Sequence, residues 1–144
     1  MKIAQFQMPV TDDKDANIQT VKDWCWKIKD EQIDLICLPE MFNCPYETSK
    51  FPQYAEVGKG KTWQILSSLA KEYAVYIVGG SIPELEDKQY YNTSYVFDRK
   101  GRQIGKHRKI RPLIINHMDT HLQSHPGEKL LNSWITMKVL SSIA

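Results

Sequence analysis

Residues 35–46 read LICLPEMFNCPY, and this stretch decides how the rest of the chain is interpreted. The apolar run at residues 35–38 has the length of a buried β-strand, and Pro39 ends it because proline has no N–H to give to a sheet ladder. Glu40 is the next residue. A carboxylate at the carboxyl end of a buried strand, followed by a loop rich in proline and aromatic residues, lies where open α/β sheets bind ligands. The stretch therefore predicts one side of a functional site.

Strand and helix patterns alternate around this stretch, which predicts an α/β fold. A strand, a helix and a second strand in succession predict a right-handed crossover and two parallel strands in one sheet. A later hairpin pattern makes the predicted sheet mixed. The predicted elements are a strand at 2–8, a helix capped by Thr11 or Asp12, a strand at 35–38, a long loop at 39–61, a helix capped by Thr62, a strand at 74–80, and hairpin strands at 90–98 and 103–108 joined by a turn at 99–102.

Composition excludes several classes of protein. The 144 residues suit one domain, and 42% hydrophobic with 25% charged residues is ordinary for a globular chain. No run reaches the roughly 18 apolar residues of a membrane span, and the N-terminus lacks the pattern of a secretory signal, so we expect a cytoplasmic protein without membrane contact. A net charge of +2 gives no reason to expect nucleic acid as a partner. The three cysteines lack metal-site spacing and predict reduced thiols: Cys25, Cys37 and Cys44.

The second half of the chain carries two groups of candidate functional residues. Residues 105–110 read GKHRKI, a basic cluster that ends the last predicted strand and can add a cation to the site. His117, His121 and His125 recur every four residues, which on one helix would put them on one face as metal ligands. Pro126 and the mixed local pattern make such a helix doubtful, so loop histidines are favoured and no metal is predicted.

Five ordered motifs resemble the nitrilase superfamily of carbon-nitrogen hydrolases, and more specifically its ω-amidase-like amidases. They are LPEMFNCPY at 38–46, FPQYAE at 51–56, YIVGGSIP at 76–83, YNT at 91–93 and GKHRKI at 105–110. The resemblance implies the N-terminal portion of an α-β-β-α sandwich, with helices on one face of a mixed sheet. It also implies hydrolysis of a small carboxylate-bearing amide by a Glu-Lys-Cys triad, with neither metal nor organic cofactor.

Within that resemblance, Glu40 matches the general base and Lys109 the lysine that stabilises the oxyanion, and Tyr46 is a predicted substrate contact. Amide hydrolysis through a thioester needs these roles, because a base must generate the thiolate and a fixed cation must meet the oxyanion. Without the motifs, Glu40 would be interpreted as a solvated residue at a strand end. Lys109 would belong to a basic surface run with its neighbours Lys106, Arg108 and Arg111. The joint occurrence of the motifs favours the site.

The chain departs from the family in its cysteines. The nucleophile of the family follows the lysine, whereas no cysteine follows Cys44 in this sequence. Cys44 lies in the loop on the glutamate side, so it is predicted to be a loop or substrate-lining thiol and not the nucleophile. We therefore interpret residues 1–130 as a partial hydrolase domain and residues 131–144 as an atypical tail, from truncation or a shifted reading frame, in a chain that is inactive alone.

An assembly or binding module is the alternative from another functional class. A sheet that ends before its later strands would leave an unpaired edge and an apolar face, and both promote association. On this hypothesis the chain pairs with itself as a homo-oligomer or with a separate second half.

Overall fold

The computed structural model describes residues 1–109, and a mixed β-sheet of seven strands runs through them. The strands are β1 Ile3–Gln5, β2 Leu35–Cys37, β3 Glu56–Val57, β4 Tyr76–Val78, β5 Ile82–Glu86, β6 Gln89–Phe97 and β7 Gln103–Arg108. The helices are α1 Lys14–Lys27, the short α2 Phe51–Tyr54 and α3 Lys61–Glu72. The predictions for residues 110–144, including the division at residue 130 and the three-histidine pattern, lie outside the described residues.

Strands β1, β2 and β4 are parallel neighbours, which confirms the predicted β-α-β crossover. Ile3 pairs with Leu35, and Leu35 pairs on its other side with Tyr76. The strands are shorter than predicted, and the cap of α1 is neither Thr11 nor Asp12. The cap is Asp13, whose carboxylate accepts hydrogen bonds from the backbone N–H groups of residues 15 and 16, at 2.9 and 3.0 Å. A side-chain acceptor at this position satisfies donors that the first helical turn leaves unpaired.

Helices α1 and α3 pack on the same face of the sheet. Apolar residues recur at helical spacing in both helices, which predicts one buried stripe on each. The stripe of α1 is buried at Val21 and Cys25, and that of α3 at Leu66, Leu69 and Ala70. These side chains share one core cluster with alternate residues of the central strands: Ile36, Ile77, Tyr95 and Phe97. Because strand side chains alternate between faces, the residues next to these in sequence point away from the helices. This is the arrangement expected for the N-terminal portion of an α-β-β-α sandwich.

Large aromatic residues are mostly buried, which predicts packing at the edge of the core for both tryptophans of α1, but the two differ in the structure. Trp24 lies against Phe6 with ring centroids 4.7 Å apart, so it meets that expectation. Trp26 is 61% exposed and instead lies under the ammonium of Lys29, so for Trp26 the expectation is wrong. Its position on α1 lies outside the apolar stripe, which explains the exposure.

Residues 39–61 were predicted to be one long loop, and this is wrong. They contain a 3₁₀ turn at Thr48–Lys50, α2 and β3. The predicted cap of α3, Thr62, is already inside the helix. Its backbone N–H and hydroxyl both donate to the carboxylate of Glu56, at 2.8 and 2.5 Å, and Lys14 pairs with that carboxylate at 2.6 Å. A carboxylate six residues before Thr62 therefore completes the first turn of α3, a spacing that the capping box does not include.

Strand β5 is not among the elements that the sequence patterns predict. In the structure β5 and β4 follow one another along β6, with Ile82 opposite Thr93 and Val78 opposite Val96. Residues 79–81 therefore face only residues 94 and 95 across the ladder, which makes the connection a bulge. Bulges of this kind often lie next to functional sites because they redirect the chain.

A second bulge fixes the register of β7 on β6. Phe97 pairs with Gln103, whereas Val96 pairs with Gly105, so Ile104 is an extra residue. An uninterrupted ladder would place Arg108 opposite Asn92. With the bulge, Lys109 takes that position and donates its backbone N–H to the Asn92 carbonyl at 3.0 Å. One inserted residue thus sends Lys109 to the face of the sheet that the helices do not cover.

Candidate active site

Glu40 lies in a tight turn just beyond the carboxyl end of β2, and the β4–β5 bulge supports this turn. Met41, which follows Glu40, has a φ of 50°, an uncommon value for a residue with a side chain. Its backbone N–H donates to the Ser81 hydroxyl at 3.1 Å. Gly80, also at positive φ, lies so close to the Pro39 carbonyl that a Cβ at Gly80 would overlap it. The bulge therefore packs closely against the turn and fixes the position of the Glu40 backbone.

Asn92 of β6 connects Glu40 to Lys109. Its side-chain Nδ2 donates to Glu40 Oε1 at 2.6 Å, and its backbone carbonyl accepts the N–H of Lys109. The Lys109 ammonium lies 3.9 Å from the same Glu40 oxygen. The lysine and glutamate side chains are 26% and 17% exposed, so solvent reaches both only in part. The structure thus brings together the two residues that the sequence motifs singled out.

A carboxylate and an ammonium at this separation have complementary chemical uses. The carboxylate can accept a proton from an attacking nucleophile, and the ammonium can stabilise negative charge on a carbonyl oxygen. Partial burial strengthens both effects, because charges interact more strongly where water is scarce. A base and an oxyanion cation do not themselves attack the carbonyl carbon, so a covalent route needs a separate nucleophile.

Cys44 is too deeply buried to act as that nucleophile. It is 0% exposed and packs with Met41, Phe51 and Tyr54 in a small apolar cluster. Burial raises the pKa of the Cys44 thiol to about 12. The thiol is therefore protonated at neutral pH, and its position agrees with a structural loop thiol.

The other sequence-predicted residue of this loop, Tyr46, is 46% exposed. Its ring meets that of Phe51 edge to face with centroids 6.0 Å apart. Phe51 is fully buried, so it anchors one edge of the Tyr46 ring to the protein. The predicted role of Tyr46 in substrate binding stays a prediction.

Sequence reasoning missed a buried carboxylate, Glu84 of β5, on the helix-facing side of the sheet. Glu84 is 1% exposed and accepts hydrogen bonds from four side chains: Thr93 at 2.8 Å, Tyr95 at 2.7 Å, Lys106 at 2.7 Å and Arg108 at 2.9 Å. Burial alone would raise the pKa of Glu84, but these hydrogen bonds outweigh it and hold the pKa below its usual value.

The Glu84 contacts also divide the basic cluster at the end of β7. Lys106 and Arg108 point to Glu84 on the helix side, and Arg108 in addition pairs with Glu86. Lys109 points to Glu40 on the other side. Alternation along a strand separates them, so the cluster is not a uniform basic surface. A count of basic residues could not reveal this division, whereas the register of β7 does.

Within residues 1–109, no set of three or more histidine, cysteine, aspartate or glutamate side chains is arranged to hold a metal ion. None of the helices in this same range combines the length and apolarity required to cross a membrane.

Comparison with known proteins then connects this geometry to a family. The family model described as carbon-nitrogen hydrolase matches residues 2–137. The chain belongs to the carbon-nitrogen hydrolase family. Among its relatives, omega-amidase NIT3 of Saccharomyces cerevisiae is 39% identical over 143 residues, covering 90% of the chain and 49% of the relative. Omega-amidase NIT2 of Mus musculus is 39% identical over 109 residues, covering 76% of the chain and 40% of the relative.

Solved structures agree with this family assignment. The crystal structure of Saccharomyces cerevisiae Nit3, a member of branch 10 of the nitrilase superfamily, superimposes with a TM-score of 0.71 at 39% identity. The match covers 77% of this chain and 44% of that structure. The carbon-nitrogen hydrolase of Helicobacter pylori G27, at 22% identity and a TM-score of 0.66, shares the fold. The chain therefore spans less than half the length of these relatives.

Proposed function

We propose that this chain carries the base and the oxyanion lysine of an ω-amidase-type site, and that it lacks the nucleophile. Glu40 is the general base, Lys109 is the oxyanion cation, and the substrate is a small amide that bears a carboxylate. The observation that carries the proposal is the 3.9 Å separation of the Lys109 ammonium and the Glu40 carboxylate within a carbon-nitrogen hydrolase fold. The names of the omega-amidase relatives supply the substrate class.

The proposed reaction explains why Glu40 and Lys109 must be close to one another. A thiolate attacks the amide carbonyl and forms a tetrahedral intermediate, whose negative oxygen Lys109 stabilises. Glu40 accepts the thiol proton and passes it to the leaving nitrogen, so ammonia departs and a thioester remains. Water, deprotonated by Glu40, then hydrolyses the thioester to a carboxylic acid. Both groups therefore serve the same carbonyl group, Lys109 at its oxygen and Glu40 at the atoms that attack and leave its carbon.

The thiol in this scheme has no counterpart among the three cysteines of the chain. Cys25 and Cys44 are buried, and burial raises the pKa of each thiol to about 12. Cys37 is paired within the sheet in β2 and is 7% exposed. The chain is therefore proposed to be inactive by itself, because Glu40 and Lys109, as base and oxyanion cation, leave the attack on the amide carbonyl without its thiol nucleophile.

The first test assays the purified 144-residue chain with a succinamate-type amide and measures ammonia. We expect no release above the blank. Release that disappears on Glu40→Ala or Lys109→Ala would overturn the claim of inactivity.

The second test asks whether the two groups work once a nucleophile is present. In a chimera, residues 1–109 of this chain replace the corresponding segment of yeast omega-amidase NIT3, and the rest of the yeast enzyme follows. We expect the chimera to release ammonia from the same amide. A folded chimera without activity would contradict the proposed function. Self-association of the chain and a cytoplasmic location stay predictions.

A further inference from the structure

Asn92 is buried on β6 and contacts both charged groups of the candidate site through different atoms. It is 5% exposed, and its neighbours Tyr91 and Thr93 point to the opposite face of the sheet, where Thr93 meets Glu84. The Asn92 side chain therefore has no role in the Glu84 cluster. Its amide reaches Glu40, while its backbone accepts from Lys109.

The orientation of the amide follows from the charge it faces. A carboxylate only accepts hydrogen bonds, so the NH₂ end of the Asn92 amide, not its oxygen, lies at 2.6 Å from Glu40 Oε1. Donation to the charged form of an acid favours that form, and it also fixes the rotamer of the acid. A general base needs both properties, since it must be ionised and must point at the proton it accepts.

We infer that Asn92 is a positioning residue, which keeps Glu40 ionised and aimed while its backbone fixes the place of Lys109. The inference rests on the proposed function for its catalytic meaning. The β6–β7 bulge supports it independently, because on the β7 side of β6 the register places Lys109 directly across from Asn92. One residue therefore sets the relative position of two groups that lie far apart in sequence.

The test follows the titration of Glu40 by carboxyl carbon NMR in the 144-residue chain, with Glu40→Gln to assign the signal. Asn92→Leu removes the donor and is expected to raise the Glu40 midpoint by about one pH unit. Asn92→Asp places a second carboxylate there and is expected to raise it further. The Glu40 midpoint should rise in the same order, from the Asn92 parent to Asn92→Leu to Asn92→Asp, when each chain also carries Lys109→Met, which removes the nearby ammonium. Unchanged midpoints in both Asn92 variants would overturn the inference.

A matched control separates positioning from general loss of stability. Asn17 is also a buried asparagine, 1% exposed, but its side chain bonds Thr11. Asn17→Leu should lower the unfolding midpoint and leave the Glu40 titration unchanged. If the Asn92 variants do not fold, the unmodified chain provides the test. The chemical shifts of the Asn92 side-chain amide protons should change with pH at the Glu40 midpoint, and this change should be absent in Glu40→Gln. Amide protons that do not respond would also overturn the inference.

These measurements involve no turnover, so they distinguish the inference from the proposed function. An inactive chimera together with the expected order of Glu40 midpoints would reject the amidase and leave the positioning role intact. An active chimera with unchanged midpoints would reject the positioning role alone.

Discussion

The ammonium of Lys109 and the carboxylate of Glu40 approach to 3.9 Å, although the two residues lie 69 positions apart in the sequence (109 − 40). Two irregularities of the sheet produce this approach. The bulge between β4 and β5 receives the Glu40 turn, and the bulge at Ile104 directs Lys109 to the same face. Local departures from regular pairing thus build the candidate site on an otherwise ordinary sheet.

The contact between Gly80 and Pro39 predicts a large effect of one methyl group. Gly80→Ala should destabilise the fold by at least about 2 kcal/mol, because a Cβ would overlap the Pro39 carbonyl at a positive φ. Urea unfolding followed by circular dichroism measures the loss. Gly58→Ala is the matched control, since the nearest atom to its Cβ would be 3.9 Å away, and it should change stability by less than about 0.5 kcal/mol. Equal effects of the two substitutions would show that the close fit at Gly80 has no energetic importance.

The Glu84 cluster predicts a dependence of stability on acid. Glu84→Gln should lower the free energy of unfolding by about 3 kcal/mol at neutral pH, because it removes the buried negative charge that Lys106 and Arg108 share. These two side chains are themselves only 29% and 28% exposed. The folded-state pKa of Glu84 is lowered, so its contribution is present above the unfolded value, near 4.5, and is lost as pH falls through the folded value.

Unfolding free energies of the parent and Glu84→Gln chains should therefore converge as pH falls below about 4. Glu86→Gln serves as a comparison, since Glu86 is 47% exposed and should contribute less. A constant difference between the parent and Glu84→Gln down to about pH 3 would contradict the ion-paired state of Glu84.

The burial of Cys44 predicts an unreactive thiol. With its pKa raised to about 12, Cys44 should react with iodoacetamide at pH 8 on the order of a thousandfold more slowly than a free cysteine, because only the thiolate attacks. Mass spectrometry of tryptic peptides measures the labelling, and the same chain in urea provides the fully reactive control. Rapid labelling of Cys44 in the folded chain would contradict the claim that its thiol is too deeply buried to act as a nucleophile.

Sequence patterns predicted the parallel core and the helix layer because local periodicity decides them. Val21 and Cys25 recur at helical spacing, and the residues from Leu35 to Leu38 form an apolar run, so each element could be identified without knowledge of its neighbours. Local periodicity does not indicate strand β5, because its apolar part is short and it contains Pro83. Pro83 is tolerated there, opposite Asn92.

The site was predicted only as far as its motifs reached. Glu40 and Lys109 followed from the motifs, but their separation depends on the register of β7, which one extra residue changes. Asn92 lay within a recognised motif, YNT, yet its bond to Glu40 is a tertiary contact with no periodic signal. Glu84 resembled an exposed glutamate because its partners Lys106 and Arg108 are distant in sequence.

The rate of the NIT3 chimera after substitution of Glu40 and Lys109 tests the central claim most directly. We predict that Glu40→Gln lowers kcat for the carboxylate-bearing amide by at least about 100-fold, and that Lys109→Met lowers it by about 100- to 1,000-fold. Glu72→Gln and Lys71→Met, on the exposed end of α3, should leave kcat within about threefold of the parent chimera. An active chimera whose kcat is equally insensitive to Glu40→Gln and Lys109→Met would contradict the claim that these residues are the base and the oxyanion cation.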